Sequence, residues 1–85
     1  MDNQELRNTM KVQRAIRDLT QADLAAIAGV TRKSVNAIET GRMVPSVLLA
    51  LKLARALGVS VDTIFRLDGG PDAADLHSRI KEPDV

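Results

Sequence analysis

The sequence has no cysteine and a single histidine, His77, and both scarcities argue against whole classes of site. Without cysteine there is no disulfide framework, no thiolate zinc site and no cysteine nucleophile. One isolated imidazole does not make a metal site or a catalytic triad, so we expect His77 to be a surface residue. The chain also has no glycine-rich phosphate loop and no carboxylate pair at catalytic spacing. We therefore expect no enzyme activity, no metal and no cofactor.

Aromatic residues and long apolar runs are equally scarce. Phe65 is the only aromatic residue, which argues against proteins that stack single-stranded bases on aromatic side chains. No apolar run exceeds five residues, as in 47–51, whereas a membrane span needs about 20. Residues 1–5 lack the basic and apolar regions of a secretory signal. These features predict a soluble cytoplasmic protein with no membrane partner.

The charges are distributed unevenly along the 85 residues, although the net charge is only +1. Residues 1–67 carry a net charge of +4, and residues 68–85 carry a net charge of −3. A basic body permits a polyanionic partner such as nucleic acid, but an ordinary mixed surface explains the charge equally well. Charge alone therefore leaves both interpretations open.

Helix start and stop signals recur along the chain, whereas strand signals are nearly absent. A first helix is predicted from about residue 4 to residue 17. Its apolar face holds Leu6, Met10, Val12 and Ile16. Four more helices open after Thr20, Thr31, Ser46 and Ser60. The links are short, so neighbouring helices must pack together. We predict a compact, all-α, five-helix domain over residues 6–66 and an acidic, partly flexible extension over residues 67–85.

Residues 21–40 form the most informative unit, two helices joined by a very short link. Gly29 suits the left-handed position that ends the first helix, and a turn this tight brings the two helices together at a steep angle. Close approach demands a small inward residue, and Ala25 lies one turn before the glycine. Val35 and Ile38 form the inward face of the second helix.

The outward face of the second helix, about residues 32–40, is rich in hydrogen-bond donors. On a helical wheel it presents Arg32, Lys33, Asn36, Ala37 and Thr40. Arg and Lys can donate to guanine, Asn can pair with adenine, and an alanine methyl can meet a thymine methyl. Most amphipathic helices are simply solvated on this side, and that alternative also fits the wheel. The tight turn, the spacing of Ala25 and Gly29 and the lack of acids on the outward side favour DNA reading.

Several sequence motifs follow one another through this unit and beyond it. They are TQADLA at 20–25, GVTR at 29–32, VNAIETGR at 35–42, PS at 45–46, LGVS at 57–60 and IF at 64–65. In this order they resemble the helix-turn-helix of phage-repressor-type regulators, the Cro/repressor or xenobiotic-response-element (XRE) family. The resemblance covers roughly residues 8–66 and is closest to small stand-alone regulators. It implies a lambda-repressor-like fold and a sequence-specific transcriptional regulator, most simply a repressor, that binds double-stranded DNA.

The resemblance also implies roles for individual residues. Four residues of the recognition helix read base edges: Arg32, Lys33, Asn36 and Ala37. Three residues contact DNA phosphates: Gln21, Thr40 through its backbone N–H, and Arg42. Related repressors pair an Arg of the first helix with a Glu at the end of the third, and Arg14 and Glu39 occupy those positions. The other structural positions are Ala25, Gly29, Val35 and Ile38.

A domain this small makes few contacts with DNA, which suggests a homodimer. The operator is then pseudo-palindromic, with half-sites about 34 Å apart. We expect the dimer surface on the fifth helix, at Val61, Ile64, Phe65 and Leu67. The alternative is that Ile64 and Phe65 close the core. No small-molecule effector is evident.

Two other functions remain open at this point. The chain could be an antitoxin or another protein-interaction module whose C-terminal extension binds a partner protein, which does not exclude DNA binding. A restriction-modification controller is a related DNA-binding alternative, and only neighbouring genes would separate it from other regulators.

Overall fold

The computed structural model describes residues 5–68 and the single residue 78. Within this part, five helices lie between two short strands. In chain order the elements are β1 (Glu5–Asn8), α1 (Met10–Ile16), α2 (Gln21–Ala28), α3 (Arg32–Glu39), α4 (Val47–Leu57), α5 (Val61–Ile64) and β2 (Phe65–Asp68). The predicted five-helix, lambda-repressor-like architecture is confirmed, and the strands add a small sheet to it. His77 and nearly all of the acidic extension lie outside the described residues.

The first predicted helix is wrong in its first half. Residues 5–8 form β1, which pairs antiparallel with β2 so that Leu6 lies opposite Leu67 and Asn8 opposite Phe65. The i, i+4 spacing of Leu6 and Met10 resembles a helical stripe, but pairing with a strand 60 residues away overrides it. No local pattern reports such a pairing, since both strands have only four residues.

The predicted apolar face of the first helix is also only partly correct. Met10 is fully buried, whereas Val12 and Ile16 are 57% and 67% exposed. Helix α1 has seven residues, and the side chain it buries in the core is that of its first residue, Met10.

Capping explains where the central helices begin and end. The hydroxyl of Thr20 accepts from the N–H of Asp23, and the Asp23 carboxylate accepts from the N–H of Thr20, each at 3.0 Å. This is the predicted capping box, and it satisfies two otherwise unpaired backbone donors. Ser46 caps α4 by accepting from the N–H of Leu49 at 3.1 Å. The predicted cap at Ser60 is not formed through its side chain, which bonds the Asp62 carboxylate instead.

The core is built from one face of each helix. Ala25, Val35 and Ile38 lie in it, as predicted, with exposures of 4%, 0% and 2%. The buried hydrophobic residues are Met10, Leu24, Ala25, Ala28, Val35, Ile38, Ala50, Leu53, Ala54, Leu57, Ile64 and Phe65. Leu53 and Ile64 are fully buried, so α4 and α5 close the core behind the α2–α3 pair.

Burial separates the four residues proposed for the dimer surface. Ile64 is fully buried and Phe65 is 9% exposed, so both close the protein's own core. Val61 is half-buried, and Leu67 is 68% exposed. Helix α5 also ends at Ile64, which places Phe65 and Leu67 on β2. Of the expected set, Leu67 is the residue that offers a free apolar surface.

Two negative findings concern the described part of the chain. None of its helices is both long enough and apolar enough to cross a bilayer. No three of its carboxylate side chains are grouped closely enough to hold a metal ion.

Candidate nucleic-acid interface

The turn between α2 and α3 has the geometry that the sequence suggested. Gly29 has a φ of 74°, and its N–H donates to the carbonyl of Ala25 at 2.9 Å. The N–H of Val30 donates to the same carbonyl at 3.0 Å. Thr31 then starts α3 at once, because its hydroxyl accepts from the N–H of Ser34 at 3.0 Å. The turn therefore fixes the direction of α3 against α2 within three residues.

Helix α3 keeps two opposite faces. Val35 and Ile38 face the core, whereas Arg32 and Lys33 are exposed and Asn36 and Ala37 are half-buried. The four residues expected to read bases thus lie on the side of α3 away from the buried pair. Within residues 5–68, no acidic side chain forms an ion pair with Arg32 or Lys33. This side therefore offers uncompensated positive charge and N–H donors.

Arg32 also lies beside the start of α2. It lines an open groove together with Thr20, Gln21 and Ala22, the first residues of that helix and its cap. The N-terminus of α2 carries unpaired backbone N–H groups and the positive end of the helix dipole, which favour an anion. An arginine and a helix N-terminus thus face the same solvent-filled groove.

The segment after α3 requires a correction. The backbone N–H of Thr40 donates to the carbonyl of Asn36 at 3.0 Å, and that of Arg42 donates to Ala37 at 2.9 Å. These N–H groups close the end of the helix, so the N–H of Thr40 is already engaged and does not fit the expected phosphate contact. The Thr40 hydroxyl instead accepts from Nε of Arg42 at 3.2 Å. Thr40 thereby holds the exposed Arg42 side chain next to the end of α3.

A nearly buried ion pair joins α1 to the end of α3. Arg14 donates from Nε to Oε2 of Glu39 at 2.6 Å and from Nη2 to Oε1 at 3.0 Å, and the Glu39 side chain is only 7% exposed. Nη1 of Arg14 donates to the carbonyl of Leu19 at 2.8 Å. The two residues expected to pair are therefore in contact, in a bidentate geometry that favours an ionised carboxylate.

The surroundings of the pair shift both ionisation equilibria. Burial by itself raises the pKa of Glu39, but hydrogen bonds from Arg14 and Gln21 and nearby positive charges outweigh it, so the pKa lies below its ordinary value. The hydrogen bond to Glu39 raises the pKa of Arg14, against the opposing effect of burial. Both groups are charged at neutral pH.

Gln21 links this ion pair to Asn36, one turn earlier on α3. Its Nε2 donates to Oε1 of Glu39 at 3.2 Å and to Oδ1 of Asn36 at 3.1 Å. Gln21 was expected to contact phosphate, and its link to Asn36 was not foreseen. The link joins α2 and α3 through side chains, and no sequence pattern reports it.

Asn8 is a second residue that the sequence did not indicate. Its Nδ2 donates to the carbonyl of Ile38 at 3.1 Å, and its Oδ1 accepts from the N–H of Met10 at 3.2 Å. It therefore ties β1 to the last turn of α3 and starts α1. Asn8 is the last residue of a four-residue strand, and no sequence pattern predicts its contacts with Ile38 and Met10.

Comparisons with known proteins are consistent across sequence and structure. A family model described as helix-turn-helix matches residues 10–64. An uncharacterised HTH-type transcriptional regulator of Methanocaldococcus jannaschii is 45% identical over 60 residues, which is 71% of this chain and 91% of that protein. The uncharacterised HTH-type transcriptional regulator YgzD of Bacillus subtilis is 41% identical over 63 residues, 74% of this chain and 96% of YgzD.

Two solved structures are similar as well. The restriction-modification controller protein C.AhdI of Aeromonas hydrophila superposes with a TM-score of 0.62 at 31% identity, over 64% of this chain and 82% of that chain. The hypothetical transcription factor NHTF from Neisseria superposes with a TM-score of 0.61 at 31% identity, over 64% of this chain and 62% of that chain.

Proposed function

Because this chain belongs to the Cro/C1-type helix-turn-helix (XRE) family and is a transcriptional regulator with a helix-turn-helix DNA-binding domain, we propose that it is a dimeric repressor that inserts α3 into the major groove of double-stranded DNA. The family is one of DNA-binding regulators rather than of enzymes. The observation that carries the proposal is the outward face of α3, where Arg32 and Lys33 are exposed and unopposed by any acid in residues 5–68.

Base reading is assigned to Arg32, Lys33, Asn36 and Ala37. The two cations suit the O6 and N7 acceptors of guanine, and the half-buried Asn36 and Ala37 suit closer contact with the base edges. Phosphate binding is assigned to Gln21, at the N-terminus of α2, and to Arg42, which Thr40 holds in place. Thr40 contributes in this scheme by positioning Arg42.

The dimer surface is proposed at the end of the sheet that holds residues 5–6 and 67–68. Leu6 and Leu67 lie opposite each other on β1 and β2 and are 41% and 68% exposed. Val44, 76% exposed, lines the same groove as Leu6. A second copy that covers these three side chains would form the proposed dimer, and the half-sites of its pseudo-palindromic operator are expected about 34 Å apart. The protein would act in the cytoplasm, without a small-molecule effector.

Fluorescence anisotropy with cognate and scrambled duplexes over a salt series tests the assigned roles, once a cognate duplex has been selected from a random pool. Arg32→Ala is expected to cost about 1–3 kcal/mol with the cognate duplex and little with the scrambled one. Arg42→Ala is expected to weaken both duplexes alike and to reduce the salt slope by about one phosphate. Arg55→Ala, which removes an exposed arginine from α4, is the matched control.

The results separate the two roles. A change of sequence preference in Arg42→Ala without a change of salt slope would show that its role is misassigned. Equal losses in Arg55→Ala and Arg32→Ala would show that general charge, not the face of α3, drives binding. Failure of the parent chain to retard any duplex at low ionic strength would refute the proposed function.

A second candidate is control of the genes of a restriction-modification system. The likeness to C.AhdI, a restriction-modification controller by its name, favours it. It shares the DNA-binding mechanism and differs in the promoter that is bound, so mapping the bound genomic sites distinguishes the two. The antitoxin alternative depends on the C-terminal extension, nearly all of it outside the described residues, and stays a prediction.

A further inference from the structure

We infer that the ion pair between Arg14 and Glu39 sets, through Gln21, which end of the Asn36 amide faces the DNA. This inference rests on the proposed function and adds a rule of base specificity to it. Asn36 then presents its N–H donors to the major groove, because its carbonyl oxygen accepts a hydrogen bond from Gln21. Gln21 is then a positioning residue for base reading.

The first step is the charge of Glu39. Its two oxygens accept hydrogen bonds from Arg14 at 2.6 and 3.0 Å, and a guanidinium remains charged at any physiological pH. The favourable contact keeps the carboxylate ionised. An ionised carboxylate has no proton to give, so every further polar group that contacts it must be a donor.

The second step is the orientation of the Gln21 amide. One end of this amide lies 3.2 Å from Oε1 of Glu39 and 3.1 Å from the amide of Asn36. Because Glu39 can only accept, that end is the nitrogen, Nε2. The flipped amide would place its carbonyl oxygen against a carboxylate, which is repulsive. The charge of Glu39 therefore determines the orientation of Gln21.

The third step is the orientation of Asn36. Nε2 of Gln21 has a second proton that only an acceptor can take, so Asn36 turns Oδ1 toward it. The Nδ2 group then lies at the other end of the amide, and no residue of the described part accepts a hydrogen bond from it. Asn36 is half-buried on α3, which restricts other positions of its side chain.

The consequence for the DNA follows from the base edges. In the major groove guanine presents two acceptors, O6 and N7, whereas adenine presents the acceptor N7 and the donor N6–H. A bidentate contact with adenine needs the asparagine carbonyl, which is engaged by Gln21 here. We therefore expect Asn36 to favour guanine over adenine, which replaces the adenine pairing expected from the residue type alone.

The experiment compares base preferences by selecting duplexes from a random pool with the parent chain and with variants. Asn36→Ala identifies the base pair that Asn36 contacts, as the position where preference disappears. The parent is expected to prefer guanine there over adenine by about tenfold. Gln21→Met keeps the length of the side chain and removes both amide hydrogen bonds, so this preference should fall to about twofold or less.

A second variant should reverse the preference. In the double variant Gln21→Glu/Glu39→Gln the carboxylate is moved to position 21, where it only accepts and no second carboxylate opposes it, so Asn36 should turn Nδ2 inward and present Oδ1 to the DNA. Bases with a major-groove donor, adenine and cytosine, are then expected to gain over guanine at that position alone. Thermal unfolding of each variant shows whether it is folded, and Gln21→Met carries the test if the double variant does not fold.

Arg55→Ala is the control, since Arg55 is an exposed residue of α4, outside both the hydrogen-bonded chain and the residues assigned to DNA contact. It should leave the base ranking at the Asn36 position unchanged. Loss of the phosphate contact of Gln21 lowers affinity for all duplexes alike and does not alter that ranking. If the parent selects no sequence, the proposed function fails. If it selects adenine at this position, or if Gln21→Met keeps the parent's ranking, this inference alone is overturned.

Discussion

Glu39 shows how a single residue serves both the fold and the site. Burying a carboxylate is unfavourable unless it is paired and hydrogen-bonded, and Glu39 has a bidentate arginine and an amide donor. The side chains of the pair belong to α1 and α3, so the same contact that satisfies the charge also holds α3, the proposed recognition helix, against the domain.

Removing only one residue of this ion pair should lower the stability of the fold. Arg14→Met leaves the Glu39 carboxylate nearly buried without its cation, and we expect a loss of about 3–5 kcal/mol in the free energy of unfolding. The double variant Arg14→Met/Glu39→Leu removes the stranded charge and should recover part of this loss. Urea denaturation measures both. A single variant as stable as the parent, or a double variant less stable than the single one, would contradict this reading.

The lowered pKa of Glu39 predicts how stability depends on pH. Because the folded pKa lies below the unfolded one, Glu39 contributes its stability in full above the unfolded value of about 4.3, and loses it as pH falls through the lower folded value. Asp23, whose pKa is lowered by hydrogen bonds from the N–H and hydroxyl of Thr20, adds a contribution of the same sign.

Urea midpoints between about pH 2 and pH 7 check this dependence. We expect a plateau above about pH 5 and a steady fall below it. The double variant Arg14→Met/Glu39→Leu lacks the Glu39 carboxyl and should fall less steeply. An equally steep fall in both proteins would assign the acid sensitivity to other carboxyl groups.

At the scale of the elements, the central helices and the outer strands are specified in different ways. The helix-turn-helix is capped locally by Thr20, Gly29 and Thr31, each of which satisfies neighbouring backbone groups. Strand β1 has no such local support. It depends on β2, on a bond from the N–H of Thr9 to the carbonyl of Ile64 at 2.9 Å, and on the side chain of Asn8.

Asn8 should therefore matter more than its place on an outer strand suggests. Asn8→Ala removes bonds to Ile38 and Met10 and leaves a partly buried carbonyl without its donor, so we expect a loss of about 1–2 kcal/mol in stability. Arg7→Ala is the control, since its pair with Asp68 is exposed and worth about 0–1 kcal/mol. Thermal unfolding compares them, and a larger loss in Arg7→Ala would refute the bridging role of Asn8.

At the scale of the whole molecule, the exposed apolar residues do not all have the same meaning. Leu6, Val44 and Leu67 lie near the sheet, whereas Val12 and Ile16 lie on α1. Scattered apolar side chains are normal on a protein surface, but two that face each other across a sheet form a continuous patch. The sheet brings this patch together, which is why the position of the proposed dimer surface depends on the strands.

Leu67→Glu tests the proposed dimer surface. A charge at this position should be strongly unfavourable in a symmetric interface, where it meets its own copy, so sedimentation should show a monomer and operator binding should weaken at least about tenfold. Val12→Glu places the same charge at a comparably exposed site on α1 and should leave both properties unchanged. If the two variants had the same oligomeric state and the same operator affinity, the dimer interface would not lie at the sheet.

The sequence by itself determined the helices that its own neighbouring residues specify, including the turn at Gly29 and the inward face of Val35 and Ile38, because caps and helical periodicity act over a few residues. It also located the pair of Arg14 and Glu39, through the resemblance to related repressors. The tertiary structure alone decided whatever joins distant parts of the chain. The strand at residues 5–8, the burial of Ile64 and the contact of Gln21 with Asn36 all depend on partners that only the folded chain brings within reach.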